Sequence, residues 1–364
     1  MSLNKKFFIG GAAGITATEH FAPVIYTGNG STQSISSLSF APDLIWFKDR
    51  SSSSENNWLF DVLRGTNIGL SSNLTGGNYT LTNTLNSFDT NGFTVGLDGK
   101  VNRSSDNYVA WAWKAAGSSS TFNIIENGSL STGSTASSVG ISETGANATL
   151  TSASINRDSG FGIITNTITT SGYPQVLSHG FGSEPDLIIN KPTTTSEGWL
   201  VKVNESVFGS TYDKQLVLNT TAAATDVTNS SRQITSIHTN ATYTPNPQSF
   251  VSYIFKSVEG FSKIGSYTGN GTSVSSTNTI TTGFQPRWIM FKCTTAADQW
   301  IIFDNTRGTV ANITDTYLLA NLSQAESDLN DGNQVEFLSN GFKITGNGRY
   351  FNQNSETYIY LAIA

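Results

Sequence analysis

The clearest pattern of hydrophobic and polar positions is an alternation that occurs in three segments, "NYVAWAWK" (107–114), "SFVSYIFK" (249–256) and "TYIYLAIA" (357–364). Side chains two positions apart lie on the same face of a β-strand, so each segment predicts a strand with one buried face. The residues on this face are Val109, Trp111, Trp113, Val251, Tyr253, Phe255, Ile359, Leu361 and Ile363. No long segment has apolar residues at helical spacing between capping residues, so helices are expected to be few.

A second pattern, a proline followed by strand-forming residues and a final lysine, also occurs three times. It reads "FAPDLIWFK" (40–48), "SEPDLIINK" (183–191) and "FQPRWIMFK" (284–292). The final lysines are Lys48, Lys191 and Lys292. Proline suits the first position of a strand. Because several patterns recur in the same order, we expect a duplicated domain rather than one recurring loop.

These patterns predict an all-β protein made of three tandem antiparallel β-sandwich domains with jelly-roll-like topology, preceded by an N-terminal arm. Turn residues separate short strands throughout, as in two-sheet sandwiches. The predicted boundaries are an arm at 1–20, repeat 1 at 21–116, a Ser/Thr/Gly-rich linker with a possible hairpin at 117–160, repeat 2 at 161–257 and repeat 3 at 258–364. The short connection before repeat 3 predicts that repeats 2 and 3 pack as a rigid pair.

The stretch "YTGNG" opens repeat 1 and repeat 3 and could be either a ligand loop or a structural turn. An Asn-Gly pair favours a two-residue hairpin turn, and a phosphate-binding loop would need a following helix, whereas polar strand sequence follows here. We therefore predict a tight hairpin in both repeats. The predicted turn residues are Gly28, Asn29, Gly30, Gly269, Asn270 and Gly271.

Composition narrows the classes of function. Charged residues are 13% of the chain and the net charge is −6, which disfavours nucleic acid and anionic membranes as partners. No apolar run approaches the ~20 residues of a membrane span, so membrane insertion is not expected. The single cysteine, Cys293, excludes an intrachain disulfide and is interpreted as a packing residue. The lysine-bearing N-terminus resembles a weak secretory signal, but a flexible arm is the preferred interpretation.

A search for catalytic groups finds no nucleophile with a base, no carboxylate pair shared by the repeats and no metal motif. His20, His179 and His238 are isolated in sequence and are interpreted as surface or loop residues. Glu184 and Asp186 are spaced like a glycosidase pair, but the other repeats do not share them. We therefore predict that the protein is not an enzyme and has no cofactor, while a weak structural calcium site stays open.

Charge pairs and aromatic residues are the remaining candidates for ligand contacts. Asp61 with Arg64, and Asp304 with Arg307, are interpreted as turns closed by an ion pair. The seven tryptophans occur in apolar strand sequence and are expected in the core. The candidates for stacking on a ligand are tyrosines in polar, loop-like sequence, namely Tyr79, Tyr173, Tyr243 and Tyr350.

Taken together, the words "YTGNG", "FAPDLIWFKDR", "SFDTNGFTVG", "VEGFSKIGSYTGNG" and "TYIYLAIA" make the chain resemble a family of repeat-bearing virion structural proteins from marine tailed bacteriophages. The resemblance implies a component of the particle exterior, in the tail or its fibres, that is made in the bacterial cytoplasm. It implies a homo-oligomer whose arm binds other virion proteins, with a host surface glycan or envelope receptor as a further partner. The alternatives are a capsid-decorating protein and a carbohydrate-binding or depolymerase module.

Overall fold

The strand-forming segments of the sequence become β-strands along nearly the whole chain. A computed structural model describes residues 15–142, 148–168, 175–228, 234–235, 238–241, 248–308, 310, 312–329 and 332–364. Helical structure in these ranges is confined to two four-residue helices and three single 3-10 turns. The 3-10 turns are Ala17–Glu19, Ser137–Val139 and Glu205–Val207. The all-β prediction is therefore confirmed.

Repeat 1 is a two-sheet sandwich. Its elements are β1 (Phe21–Thr27), β2 (Gln33–Ile35), β3 (Leu44–Asp49), β4 (Trp58–Asp61), β5 (Ile68–Ser71), β6 (Tyr79–Thr80), β7 (Leu85–Asp89), β8 (Gly92–Val95), the helix α1 (Gly99–Asn102) and β9 (Asn107–Trp113). The large sheet has the order β1-β9-β3-β4-β5-β6, and the small sheet has the order β2-β8-β7. The pairing of β1 with β9 in one sheet and β2 with β8 in the other gives the wrapped connectivity of a jelly-roll-like sandwich.

Repeat 2 has the same large sheet with an addition at one edge. Its strands are β10 (Phe122–Glu126), β11 (Ser129–Gly133), β12 (Ala148–Asn156), β13 (Phe161–Ile168), β14 (Gln175–Ser178), β15 (Leu187–Pro192), β16 (Leu200–Val203), β17 (Lys214–Val217), β18 (Thr225–Asp226), β19 (His238–Ala241) and β20 (Ser249–Phe255). The large sheet runs β11-β10-β12-β13-β20-β15-β16-β17-β18, and β14 pairs with β19 in the facing layer.

The prediction of a linker at 117–160 is wrong. Its predicted hairpin exists, because β10 and β11 pair around Asn127-Gly128, but these strands belong to a sheet. β12 pairs antiparallel with β13 and parallel with β10, so one pairing in this otherwise antiparallel sheet departs from expectation. The apolar islands of this Ser/Thr-rich segment are what dock it, since Phe122, Ile124 and Ile155 are buried in one cluster.

Repeat 3 repeats the plan of repeat 1. It contains β21 (Ser262–Thr268), β22 (Thr277–Thr281), β23 (Trp288–Cys293), β24 (Trp300–Asp304), β25 (Ile313–Thr314), β26 (Thr316–Leu319), β27 (Ser327–Asp328), β28 (Gln334–Leu338), β29 (Gly341–Thr345), the helix α2 (Arg349–Asn352) and β30 (Thr357–Ile363). The sheets are β21-β30-β23-β24-β26-β27 and β22-β29-β28-β25. Cys293 is buried in β23, as expected of a packing residue.

The large sheet of every repeat has two buried faces. One face packs on the small sheet of its own repeat, and we call this the sandwich interior. The other faces of the three large sheets meet in one apolar cluster, and we call this the shared core. In repeat 3 the same cluster continues into the sandwich interior. The alternating residues predicted to share a face, such as Trp111, Tyr253 and Leu361, all lie in the shared core. All three repeats therefore pack together, not only repeats 2 and 3.

The residues just before repeat 1 are also part of the fold. Ile15 and Ala17 pack against the shared core, and the Lys114 amide donates to the carbonyl of His20 at 2.9 Å. The predicted arm at 1–20 is therefore wrong for residues 15–20, because apolar side chains dock them. Its remainder, residues 1–14, lies outside the described residues.

Candidate functional site

The most regular chemistry in the molecule lies where the repeats meet. Lys48, Lys191 and Lys292 are the next-to-last residues of equivalent strands and are 1%, 0% and 0% exposed. Each ammonium group donates to a backbone carbonyl of another repeat. The bonds are Lys48 Nζ to Leu322 O at 3.2 Å, Lys191 Nζ to Thr75 O at 2.9 Å and Lys292 Nζ to Thr221 O at 3.2 Å. The contacts run from repeat 1 to 3, from 2 to 1 and from 3 to 2, which closes a cycle.

Backbone hydrogen bonds repeat the same cycle. In each case the acceptor is the carbonyl two residues after the lysine, and the donor is an amide of the repeat that the lysine contacts. The bonds are Glu326 N to Arg50 O at 3.0 Å, Asn78 N to Thr193 O at 2.8 Å and Ala224 N to Thr294 O at 2.9 Å. Backbone geometry is thus preserved through the triplication, and the arrangement is a pseudo-threefold ring made by one chain.

A third set of donors lies on the neighbouring strand. Trp199 Nε1 donates to Ser71 O at 2.8 Å, and Trp300 Nε1 donates to Val217 O at 3.1 Å. In repeat 1 this place is taken by Asn57, whose Nδ2 donates to Leu319 O at 3.0 Å. Trp58 lies one residue further along its strand than Trp199 and Trp300 do on theirs, because Trp300 pairs with Lys292. Trp58 pairs with Phe47, next to Lys48, and its side chain points into the sandwich interior.

The predicted ion-pair turns also reach across repeats. Arg64 Nε lies 2.7 Å from Asp61 Oδ2, and the hydroxyl of Tyr253 in repeat 2 donates to the same oxygen at 2.8 Å. The ion-pair prediction is confirmed, and the second contact could not be seen from local sequence. In repeat 2 the position equivalent to Asp61 is Val203, and in repeat 3 the position equivalent to Tyr253 is Leu361. The corresponding place between repeats 2 and 3 is therefore apolar.

Asp304 and Arg307 make the corresponding contact from repeat 3 to repeat 1. Arg307 Nε is 2.6 Å from Asp304 Oδ2, and Trp111 Nε1 donates to this oxygen at 2.9 Å. Burial, the largest single cause, raises the pKa of Asp304. The charge of Arg307 and the hydrogen bonds from Thr306, Arg307 and Trp111 together outweigh it and lower that pKa below the ordinary value. The pair therefore stays ionised in the interface, with the indole as a third partner.

The buried lysines are chemically unusual but positioned as ties between repeats. Burial lowers the pKa of Lys48 to about 7 and those of Lys191 and Lys292 to about 8. Their nitrogens point at carbonyl oxygens inside the protein rather than at a cavity that a substrate could enter. Among the described residues, no group of three or more His, Cys, Asp or Glu side chains could hold a metal ion.

The "YTGNG" stretches do not form the predicted hairpins. β1 pairs with β9 and β2 pairs with β8, so each stretch crosses from the large sheet to the small one. Glycine is needed for close approach: a Cβ on Gly28 would lie 2.2 Å from the carbonyl oxygen of Arg103, and one on Gly269 would lie 2.2 Å from that of Gln353. Gly30 has a φ of +69°, which favours glycine.

The stretch packs against the residues around α1, and its hydrogen bonds are internal to the protein. Asn102 accepts from the Asn29 amide at 2.9 Å and donates to Gly96 O at 2.7 Å. Tyr26 donates to Val101 O at 2.6 Å. In repeat 3, Asn352 of α2 accepts from the Asn270 amide at 3.1 Å, and Tyr267 donates to the carbonyl of Phe351. Sequence reasoning missed Asn102 and Asn352, although they recur before the closing strand. The stretch is therefore a structural loop.

The predicted ligand-stacking tyrosines do not form one site. Tyr79 is half-buried and packs edge-to-face on Trp58, with ring centroids 5.4 Å apart. Tyr350 is half-buried in α2 and packs on Tyr317 at 5.9 Å. These two tyrosines lie in different sandwiches, and both rings are used for packing, so their interpretation as exposed platforms is wrong. Tyr173 and Tyr243 lie outside the described residues.

The histidines and the carboxylate pair take structural places. His179 is buried rather than superficial: its Nδ1 accepts from the Phe181 amide at 3.2 Å, which leaves Nε2 to donate to Thr235 O at 2.7 Å. His20 is half-buried, and the side chain of His238 lies outside the described residues. Asp186 accepts from the Ser257 amide at 2.6 Å, where the chain leaves repeat 2. Glu184 is exposed.

All seven tryptophans are buried, as the sequence predicts. Six of them lie in the shared core, and Trp58 is in the interior of repeat 1. No helix in the described part of the chain is long and apolar enough to cross a membrane.

Comparison with known proteins places this architecture in a family. The family described as "Domain of unknown function (DUF7483)" matches residues 16–364, and the chain belongs to it. That match covers all three repeats as one unit. No curated protein matches the chain.

A solved structure described as "The Triple Jelly Roll Fold and Turret Assembly in an Archaeal Virus" aligns over 95% of this chain and 89% of its own. The sequence identity is 10% and the TM-score is 0.13. At that TM-score the likeness carries no argument.

Proposed function

We propose that this protein is a non-enzymatic structural component of a bacteriophage virion, located in the tail or its fibres, that contributes to attachment at the host surface. The sequence resemblance suggests the particle. The single observation that supports a structural role best is the closed cycle of lysine and backbone hydrogen bonds, because it ties three sandwiches into one body around a common core.

The buried polar groups fit this role. The three buried lysines and the two Asp–Arg pairs are directed at partners within the protein, where an enzyme would direct some of its charged groups at a substrate cleft. A body fixed at many points can transmit load and hold its outer surfaces at constant spacing, which suits a particle exterior.

The N-terminal residues 1–14 are the proposed attachment to other virion proteins, in a homo-oligomer. Deletion of residues 1–14, which leaves Ile15 and Ala17 in place on the shared core, should abolish incorporation into particles while the sandwiches stay folded. A deletion that also removes 15–20 serves as the comparison, because it should lower stability as well. Normal incorporation of the shorter deletion would contradict the proposed attachment.

Location and activity need separate measurements. Labelling of the protein on intact particles should place it on the tail, and a capsid position would favour a decorating protein instead. Incubation of the purified protein with host envelope glycan should give no new reducing ends. Their appearance would contradict the non-enzymatic part of the proposal and favour a depolymerase.

A further inference from the structure

An open cleft lies between repeats 2 and 3, beside the edge strand β21. It has a volume of about 320 Å³. Repeat 2 contributes Asp186 and Ser206 to its wall, and repeat 3 contributes Lys263, Gly265, Ser266 and Tyr360. The lining is mainly polar, in contrast to the apolar faces that pack elsewhere between the repeats.

Tyr360 reaches this cleft because the residue opposite it on the neighbouring strand is a glycine. Gly265 on the edge strand β21 is directly paired with Tyr360 on β30. A Cβ on Gly265 would lie 2.4 Å from the Tyr360 hydroxyl oxygen, so the phenol crosses the edge strand over the glycine. The ring itself is buried edge-to-face on Phe342 at 5.2 Å, which leaves only its hydroxyl end for the cleft.

The other repeats have the opposite arrangement at the same pair of positions. In repeat 1 the pair is Val24 with Ala110, and in repeat 2 it is Ile164 with Ser252, so the larger residue is on the first strand. In repeat 2 the outer edge of that strand is also covered by β12. Repeat 3 alone therefore presents a phenol at this edge.

The walls of the cleft are fixed by hydrogen bonds, which leaves a defined set of groups for a ligand. Ser266 Oγ donates to Val207 O at 2.8 Å, and the Ser257 amide donates to Asp186 Oδ2. Within the described parts of the chain, no hydrogen bond or ion pair engages the Tyr360 hydroxyl or the Lys263 ammonium group. Two donors and a carboxylate thus face one cleft.

This set of groups recognises a particular ligand chemistry. A ligand with many hydroxyl groups can accept from Lys263 and Tyr360 while donating to Asp186. One cation opposed by one anion does not favour a polyanion, and the volume is at the low end of the range for small-molecule sites. We propose that this cleft binds one monosaccharide unit of a surface glycan. The inference rests on the attachment part of the proposed function.

The test is binding of the purified full chain to an array of neutral and acidic glycans, followed by titration of the best glycan. Lys263→Ala and Tyr360→Phe should each weaken binding at least tenfold, because each removes one donor. The double variant Gly265→Val, Tyr360→Ala installs the pair found in repeat 1 and should abolish binding. Lys100→Ala, a change of a surface lysine in repeat 1, is the control and should bind like the unchanged protein.

Thermal unfolding of each variant checks that it is folded. If the double variant does not fold, the affinity of Tyr360→Phe tests the role of the phenol by itself. Unchanged affinity in both Lys263→Ala and Tyr360→Phe would overturn the site. No binding to any glycan by the unchanged protein, together with normal incorporation into particles, would overturn the cleft while leaving the structural role intact. Loss of incorporation on deletion of residues 1–14 is independent of both results.

Discussion

The interiors of sandwiches 1 and 3 differ sharply from the interior of sandwich 2. At matching places on the large sheet, repeats 1 and 3 carry mostly aromatic residues, whereas repeat 2 carries polar ones. The sets are Tyr26, Phe47, Phe60 and Ala110 in repeat 1, Tyr267, Phe291, Phe303 and Tyr360 in repeat 3, and Asn166, Asn190, Lys202 and Ser252 in repeat 2. All four of the polar residues are buried.

The four buried polar residues of repeat 2, which we call the polar belt, divide the interior of this sandwich. Apolar residues on either side of it form two separate clusters, one around Ile164 and Ile254 and the other around Ile168 and Phe250. The interior of repeat 1 is one continuous cluster. Ser252 donates to Asn190 Oδ1, while Asn190 Nδ2 has no partner within the described residues. Buried amide groups without partners cost stability.

The shared core shows no such divergence. Val251, Tyr253 and Phe255 of repeat 2 occupy it in the same register as the corresponding residues of the other repeats. Repeat 2 can therefore lose much of its own interior and remain folded because its other face is held by two neighbours. The contrast teaches that stability in this molecule comes from the contacts between repeats as much as from each sandwich.

The largest predicted effect comes from placing the repeat 2 residue in repeat 1. Phe47→Asn should lower the free energy of unfolding by roughly 3–5 kcal/mol, because it removes a buried ring and adds an amide without a partner. Urea unfolding measures this. Val274→Asn, at a position 50% exposed in repeat 3, is the control and should change it by less than about 0.5 kcal/mol. If Phe47→Asn lowers the free energy of unfolding by less than ~1 kcal/mol, the interior of repeat 1 tolerates a polar residue as repeat 2 does, which contradicts the contrast.

A smaller effect is expected from one hydrogen bond of the shared core. Trp111→Phe should cost about 2 kcal/mol, because it deletes the indole donor to the buried carboxylate of Asp304. Trp113→Phe is matched in strand and burial, but its Nε1 has no partner among the described residues, so it should cost less. Chemical denaturation of both variants gives the comparison. Equal costs would show that only ring volume matters at this interface.

Filling the polar belt should act in the opposite direction. The double variant Asn190→Leu, Ser252→Ala removes both partners of one hydrogen bond together with the unpartnered amide, so a gain of about 1 kcal/mol in the free energy of unfolding is expected. Ser252→Ala alone leaves Asn190 without its donor and should be destabilising. If the double variant is also less stable, the belt has partners that contribute to folding.

The weakest effect is a dependence on pH from the buried lysines. Burial lowers the folded-state pKa of Lys48 to about 7 from 10.5, so the unfolded chain binds more protons between these values. The free energy of unfolding should therefore rise from pH 8 to pH 9, and the destabilisation by Lys48 is fully present below the folded pKa. Lys48→Met should reduce this rise by ~1 kcal/mol in urea titrations at the two pH values. An identical rise in the variant would show that Lys48 does not titrate there.

The sequence was sufficient for the β class, the three repeats and the buried tryptophans, because alternation and ordered repetition are local signals. It was not sufficient to tell which face of β9 lies in the sandwich interior and which lies in the shared core. The strand is apolar on both faces, so Trp111 and Ala112 are equally plausible as interior residues until the second buried surface is known. The same limit explains the "YTGNG" error, because Gly28 is required by the distant Arg103 carbonyl and not by a turn.

The central claim is that the three repeats form one cooperative unit through the shared core. Leu361→Ala, in repeat 3, removes a residue that is 2% exposed in that core and should cost about 2–5 kcal/mol. The direct measurement is hydrogen exchange of the backbone amides of β9 in repeat 1, β20 in repeat 2 and β30 in repeat 3, with and without this change. We predict faster exchange by the same factor in all three strands. Faster exchange confined to β30 would contradict the account.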